Sequence, residues 1–529
     1  MSSQTKVTMQ PVTPTQPLTS MWKFELILYS LIWCGGLGYS CYSVFLISAE
    51  YKEDLNPHLF EQGWKFLDRD KDVGDFEWTF FYSWFWVVLP WYLGYCLVTQ
   101  LLYAKYYQYR TVISLVISVL CLCWVMGWRP VALILSHCAV CHLTSCWGSP
   151  TLVWLTCLLL LSTLNFEPFF SLMKVAVPDD PMETKFYLLL FTLALCNLRY
   201  TSFCLEKVQR RQFQETRDHD GQLTRTTNQC TFIDLLAYTF YLPLFFHRPL
   251  LTYDVFSEQI SEAKQPWTLS RVVAVGKHFT RVIFWAVVIE FTLHYFYFHS
   301  LQGSLSVMMK VPLWGLAGIG YLHGQFFMMK YVVMFGFPAC VAKVDGLNPP
   351  EGPKCISRIC YYSDMWKYFD RGLYSFIKRY IYVPLGGSRC GLVRQLTISA
   401  LTFLYVFYWH GAELYLFLWA ALNYLGIMLE LLGAKLTKIL GTRYLGSAMA
   451  SRLHALCTVP LFAMSALSIF VFFGGAETGQ VYFNRLLIEG YPVSVLLIAL
   501  VLYCGVHVCA GISQWEQQKV KQKVKHKVW

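Results

Sequence analysis

Runs of apolar residues set the rhythm of this chain. They recur near 26–48, 79–103, 111–127, 131–147, 150–165, 186–204, 232–246, 279–299, 311–341, 396–409, 413–432, 453–473 and 486–511. A full crossing of a bilayer takes about 20 apolar residues, so the shorter runs read as re-entrant or paired segments. The pattern predicts about ten to twelve helical elements within a membrane. Gly and Pro interrupt many of them, which at membrane depth is tolerated where backbone is buried in protein or lines a cavity. The expectation is an all-α, polytopic membrane body with no internal repeat.

Polar stretches divide the rest. Residues 49–76 mix twelve charged side chains with Leu59, Phe60, Trp64 and Phe66, and read as an interfacial amphipathic helix. Residues 206–230 have the composition of a flexible loop. In 343–395 the residues Trp366, Phe369, Leu373, Phe376, Ile377 and Tyr380 recur at helical spacing, with Lys367, Arg371 and Lys378 between them. This predicts a basic amphipathic helix whose cations suit a phosphate-bearing ligand such as a coenzyme A head group, or lipid phosphate. The division expected is a polar N-terminal extension (1–21), a membrane domain (22–511) and a basic cytosolic tail (512–529).

Composition agrees. Of 529 residues, 56% are hydrophobic and only 14% charged, against roughly 25% in a soluble domain. That excludes a disordered chain, a coiled coil or a soluble multidomain enzyme. The net charge of +11 comes from short Lys/Arg clusters between apolar runs and reads as topology and phosphate contact, not nucleic-acid binding. The 19 cysteines lie largely in apolar runs and predict packing thiols without a disulfide framework. The polar first 20 residues do not read as a cleavable signal, and the run from Leu26 is long enough to stay as an anchor. Lys525-His526-Lys527-Val528-Trp529 resembles a dilysine retrieval signal of the endoplasmic reticulum.

Three places invite chemistry. Cys138-Ala139-Val140-Cys141-His142 has the C-x-x-C-H spacing of haem attachment and, with His137 and Cys146 nearby, resembles half of a zinc site for which no second C-x-x-C pair follows; a helix with packing thiols is the expectation. Gly474–Val481 lacks the Lys of a phosphate loop and reads as a Gly-rich turn. His410 closes one apolar run just before another, and an ionisable side chain at membrane depth points to function. Asp370, 40 residues earlier, is separated from it by one short re-entry and one span. A carboxylate meeting this imidazole suits a general base and its orienting acid, and equally a proton-coupled transporter.

Trp409-His410-Gly411, with Met365-Trp366-Lys367-Tyr368-Phe369-Asp370 upstream, resembles the membrane-bound O-acyltransferase superfamily. Asp75-Phe76-Glu77-Trp78, Asp345-Gly346-Leu347, Tyr382–Ser388 and Leu418–Asn423 strengthen the likeness, which covers nearly all of 22–511. It is strongest toward the branch that moves palmitate from palmitoyl-CoA to the N-terminal cysteine of Hedgehog signalling proteins. The resemblance implies helices around a central acyl-CoA tunnel, with His410 and Asp370 catalytic. It implies Trp366 on the acyl path, Lys367, Arg371 and Arg379 near the CoA phosphates, and haem b on Cys355. It implies residence in the endoplasmic reticulum membrane, with the Golgi as the alternative. The implied partners are a Hedgehog protein, palmitoyl-CoA and membrane lipids, with no nucleic acid. A non-catalytic branch lacks the motif histidine, which is present here. The competing readings are acylation of a lipid or another protein, and a non-enzymatic transporter or scaffold.

Overall fold

The computed structural model describes residues 23–177, 184–219, 230–262, 266–440 and 447–528. The expected N-terminal extension lies outside them. In chain order the first helices are α1 (Lys23–Glu50), α2 (Phe76–Tyr106), α3 (Arg110–Val125), α4 (Trp128–Ser145), α5 (Pro150–Ser162), α6 (Glu167–Ala176) and α7 (Thr184–His219). Then come α8 (Phe232–Thr239), α9 (Tyr253–Ser261), α10 (Leu269–Tyr295), α11 (Phe298–Gln302), α12 (Leu305–Met308) and α13 (Leu313–Val344). The last are α14 (Tyr362–Phe369), α15 (Arg371–Ile377), α16 (Leu392–Trp409), α17 (Leu414–Leu440), α18 (Ser447–Phe483) and α19 (Val493–Val528). Two three-residue strands, β1 (Phe60–Gln62) and β2 (Asp70–Asp72), pair antiparallel with Phe60 opposite Asp72.

Local sequence sets the helix starts. Asp75 accepts the Trp78 N–H and opens α2, and Thr268 does the same for α10. Thr231 and Asp234 form a reciprocal capping box at α8. Among the described residues nine helical stretches are long and apolar enough to cross a membrane, or up to ten with the bent pair α5–α6. In the most apolar window of α10 only 11% of residues are buried, against 61% in α13 and 78% in α7. So α10 faces lipid, while α7 and α13 are interior elements.

The hub is α13, which packs on α1, α2, α10 and α18. Gly318 permits the approach to α1, since a Cβ there would stand 2.3 Å from the Ser40 carbonyl oxygen. A line of ions crosses this interior. Lys330, with a side chain only 2% exposed, bonds Asp75 and Glu77 of α2 at 2.8 Å each. The Tyr331 hydroxyl donates to the Glu77 carboxylate, and Lys71 pairs with Glu290, which also accepts the Trp78 indole N–H.

The structure corrects the polar segments. Residues 49–76 form short 3-10 turns and the β1–β2 hairpin, not an amphipathic helix. Asn56-Pro57, Gly63 and a left-handed Asp68 break any helix there. Residues 206–219 continue α7 instead of forming a loop, and 220–229 lie outside the described residues. The single helix expected over 366–380 is divided at Asp370, whose backbone is extended (φ −123°, ψ 89°), and ends in a π turn at Lys378–Tyr382. The Gly-rich segment at 474 is a kink inside α18, non-helical at Gly475. Cys138 and Cys141 lie buried in α4, and all 19 cysteines are free thiols.

Candidate active site

Asp370 owes its place to the break between α14 and α15. Its side chain accepts the Leu373 N–H at 2.8 Å, so the residue that ends one helix starts the next. Gly372 then lets the loop after α8 come close, because a Cβ there would lie 2.4 Å from the Leu250 carbonyl oxygen. That loop delivers Arg248, which forms an ion pair with the second carboxylate oxygen of Asp370. Both side chains are at most 15% exposed.

His410 follows the last residue of α16. Its N–H bonds the Val406 carbonyl at 3.1 Å, and Gly411 (φ 124°) and Ala412 (φ 58°) turn the chain into α17. Three rings stand nearly perpendicular to the imidazole. They are Trp409 at 4.8 Å, Trp419 at 5.4 Å and Phe472 at 5.9 Å, from α16, α17 and α18. Trp409 is held by its indole N–H on the Ala194 carbonyl of α7. His410 occupies the connection between two spans. Its pKa is pushed down to about 3, first by burial and then by the Arg248 charge. The imidazole is thus neutral and able to accept a proton.

Trp366 joins the same wall. Its ring lies 5.7 Å from Trp419 and its N–H donates to Asn423 at 3.1 Å. On the other side Phe472, Phe473, Phe327 and Phe369 form a chain of ring contacts that ends beside Asp370. His410 and Asp370 are therefore joined by a continuous aromatic surface. The side-chain bonds of Asp370 run to Arg248 and Leu373, and no hydrogen bond between Asp370 and His410 occurs among the described residues.

The expected phosphate contacts are differently engaged. Arg371 pairs with Glu351 at 2.8 Å, and Arg379 with Glu206 at 2.6 Å and Asp254 at 3.1 Å. Lys367 lies 4.8 Å over the Tyr368 ring. A second cationic spot escaped the sequence reading. Lys343 contacts His278 at 2.7 Å in a cleft shared with Leu250, Thr252, Pro350 and Ser375. Cys355 is a half-buried thiol at the start of a 3-10 turn, beside Tyr321, with Lys354 and Arg358 in the same loop both paired to Glu516. Among the described residues no three His, Cys, Asp or Glu side chains gather as a metal site.

Arg248, Tyr331 and the role of Trp419 were missed from sequence. Arg248 carried a signal, since a lone cation immediately after the apolar run 232–246 is costly unless it has a partner.

The chain as a whole is similar to known proteins. The pattern of the membrane-bound O-acyltransferase family matches residues 142–468. The chain is 35% identical over 494 residues to the protein-cysteine N-palmitoyltransferase HHAT of Mus musculus, covering 92% of this chain and 97% of the mouse protein. It is 29% identical to the mouse HHAT-like protein, covering 91% and 93% of the two chains. It is also 29% identical to the protein-cysteine N-palmitoyltransferase Rasp of Drosophila melanogaster, covering 84% and 88%.

Proposed function

The chain belongs to the membrane-bound O-acyltransferase family, and from that premise we propose that it palmitoylates the N-terminal cysteine of a Hedgehog-type secreted signal. The observation that carries this reading is the end-to-end likeness to a protein-cysteine N-palmitoyltransferase. His410 and Asp370 at the two ends of one aromatic wall support it.

The chemistry is an exchange of one acyl bond for another. The amine of the cysteine attacks the thioester carbonyl of palmitoyl-CoA, the C–N bond forms, and the C–S bond breaks. The nitrogen gives up a proton and the coenzyme A thiolate takes one, so the product pair is an amide and a free thiol. His410, a neutral base, accepts the amine proton and passes it toward the departing sulfur. Asp370 orients the amine. The walls of Trp366, Trp419 and Phe472 hold the acyl chain away from water, which limits loss of the thioester to hydrolysis. Holding both reactants in one enclosed space supplies the proximity contribution to the rate. Lys367, Arg371 and Arg379 receive the CoA phosphates, the two arginines exchanging their carboxylate partners for them.

Haem b rests on the resemblance alone. Cys355 fits the donor required, a half-buried thiol with two cations in its loop. The group would supply a thiolate–iron bond that ties down this loop, and no transfer step passes through it. An absorbance spectrum of the purified protein beside Cys355→Ala tests this, and a Soret band of equal strength in both removes Cys355 as the ligand. Residence in the endoplasmic reticulum rests on the dilysine-like tail. Imaging after joint replacement of Lys525 and Lys527 tests it, and unchanged retention removes the signal. For the function itself, purified protein is given palmitoyl-CoA and a peptide with an N-terminal cysteine. An acylated peptide is expected; acylated lipid with unmodified peptide would overturn the assignment.

A further inference from the structure

We propose that Arg248 is the positioning residue of the transfer site, holding Asp370 and the Trp409–His410 pair at one fixed spacing. The proposal rests on the palmitoyltransferase reading above. Arg248 reaches both halves of the site at once. One guanidinium nitrogen donates to Asp370 Oδ2, and the guanidinium carbon lies 4.7 Å over the Trp409 ring. Asp370 Oδ1 is held by the Leu373 N–H, so the carboxylate is fixed by donors from two different elements. Only an edge-on and face-on contact made together can do this. A planar guanidinium offers both, whereas an ammonium offers a point charge without a flat face.

The backbone prepares the approach. Leu250, two residues after Arg248, touches Gly372, two residues after Asp370, at a separation no side chain at 372 allows. The loop and α15 are thereby locked in register, and the ion pair is built into the main-chain packing.

Charge around the site follows from this one residue. The rings that enclose His410, from α16, α17 and α18, are uncharged. Tyr331 of α13 faces Arg248 and is hydrogen-bonded to Glu77 of α2. On the side of Asp370, Arg371 is turned to Glu351 and Lys367 to Tyr368. Arg248 is therefore the cation that both Asp370 and His410 feel. Its pair with Asp370 sums to zero charge and His410 is neutral. Such a site holds an ammonium weakly and admits the free amine, which is the form that attacks. A carboxylate alone would trap the unreactive form.

The test measures palmitoyl transfer to an N-terminal cysteine peptide by the full chain in detergent, as a pH series. Wild type, Arg248→Gln and Arg248→Lys are compared, each confirmed monodisperse. Arg248→Gln is expected to lower kcat about 100-fold while KM for palmitoyl-CoA stays nearly unchanged. Its acid limb in kcat, which reports the bound complex, moves to higher pH, because the imidazole loses the cation that opposes its protonation. Arg248→Lys restores the charge and is expected to return the limb toward wild type while leaving kcat low. If Arg248→Gln does not fold, Arg248→Lys decides alone, and wild-type kcat in it overturns the proposal. An unmoved limb in Arg248→Gln, or an equal rise of KM in both variants, also overturns it. A wild type that acylates no peptide instead removes the palmitoyltransferase reading.

Discussion

Asp370 does two jobs that substitution separates. Asp370→Asn and Asp370→Ala both leave Arg248 without its partner, and both are expected to abolish peptide acylation. Only the alanine also loses the bond to the Leu373 N–H, so it should unfold more easily than the asparagine by about 1 kcal/mol. Thermal unfolding in detergent reads the difference, and equal stability would mean the cap contributes nothing. A second residue-scale prediction concerns Asp72, which is buried in the hairpin and accepts bonds from Gly74, His299 and Ser300. Burial outweighs those bonds and pushes its pKa up to about 6. The folded state thus binds a proton between about pH 4 and 6 that the unfolded chain has released. Stability from this group falls as pH rises through that window, by about 3 kcal/mol in all, and is fully restored only below it. Asp72→Asn should flatten the slope of stability between pH 4 and 6, and an unchanged slope would place its origin elsewhere. At this scale His410 and Asp370 were picked out as ionisable positions beside apolar runs, and Trp366 through the family resemblance. Arg248 was not, because its partner lies 122 residues away and only folding brings them together.

Among elements, the decisive one is the junction of α14 with α15. Gly372→Ala adds a single methyl group that meets the Leu250 backbone at 2.4 Å, so the loop carrying Arg248 must shift. The expected result is about 100-fold lower kcat with the protein still folded. Unchanged activity would show that the loop has room to give. Gly426→Ala makes the parallel test on α14 and α17, because its Cβ would press on the Tyr362 ring and so disturb the Trp366–Asn423 bond. Elements were read well where periodicity was strong and poorly where composition stood in for it. The helical spacing of 366–380 was correct, but Asp370 was read as a member of that helix when an aspartate three residues before a leucine amide is also a cap. Residues 206–219 were called loop on polarity, although Glu, Lys, Gln and Arg are good helix formers and extend α7. In 49–76 the apolar residues suggested an amphipathic face, while Pro57, Gly63 and Gly74 had already broken the chain into turns and a hairpin.

At the level of the whole molecule, the all-α membrane body follows directly from the apolar runs, while the choice of interior and lipid-facing helices does not. The most apolar stretch of α13 is no more apolar than that of α10, yet α13 is the hub, through its glycines and through Lys330. Lys330→Met leaves the partly exposed Asp75 and Glu77 without their cation and should cost about 1–3 kcal/mol, seen as a lower unfolding temperature. Adding Asp75→Asn and Glu77→Gln to that variant removes the unpaired charges and should restore much of the loss; no recovery would mean that Lys330 acts by packing alone. The pairing also has a consequence in time. Asp75 leaves the ribosome 255 residues before Lys330. At 5–20 residues per second that is an interval of about 13–50 s. Throughout it, Asp75 and Glu77 at the start of α2 are without their Lys330 partner. The contact that fixes α2 against α13 can therefore form only after that interval, so α2 must wait for α13 before the two helices close on each other.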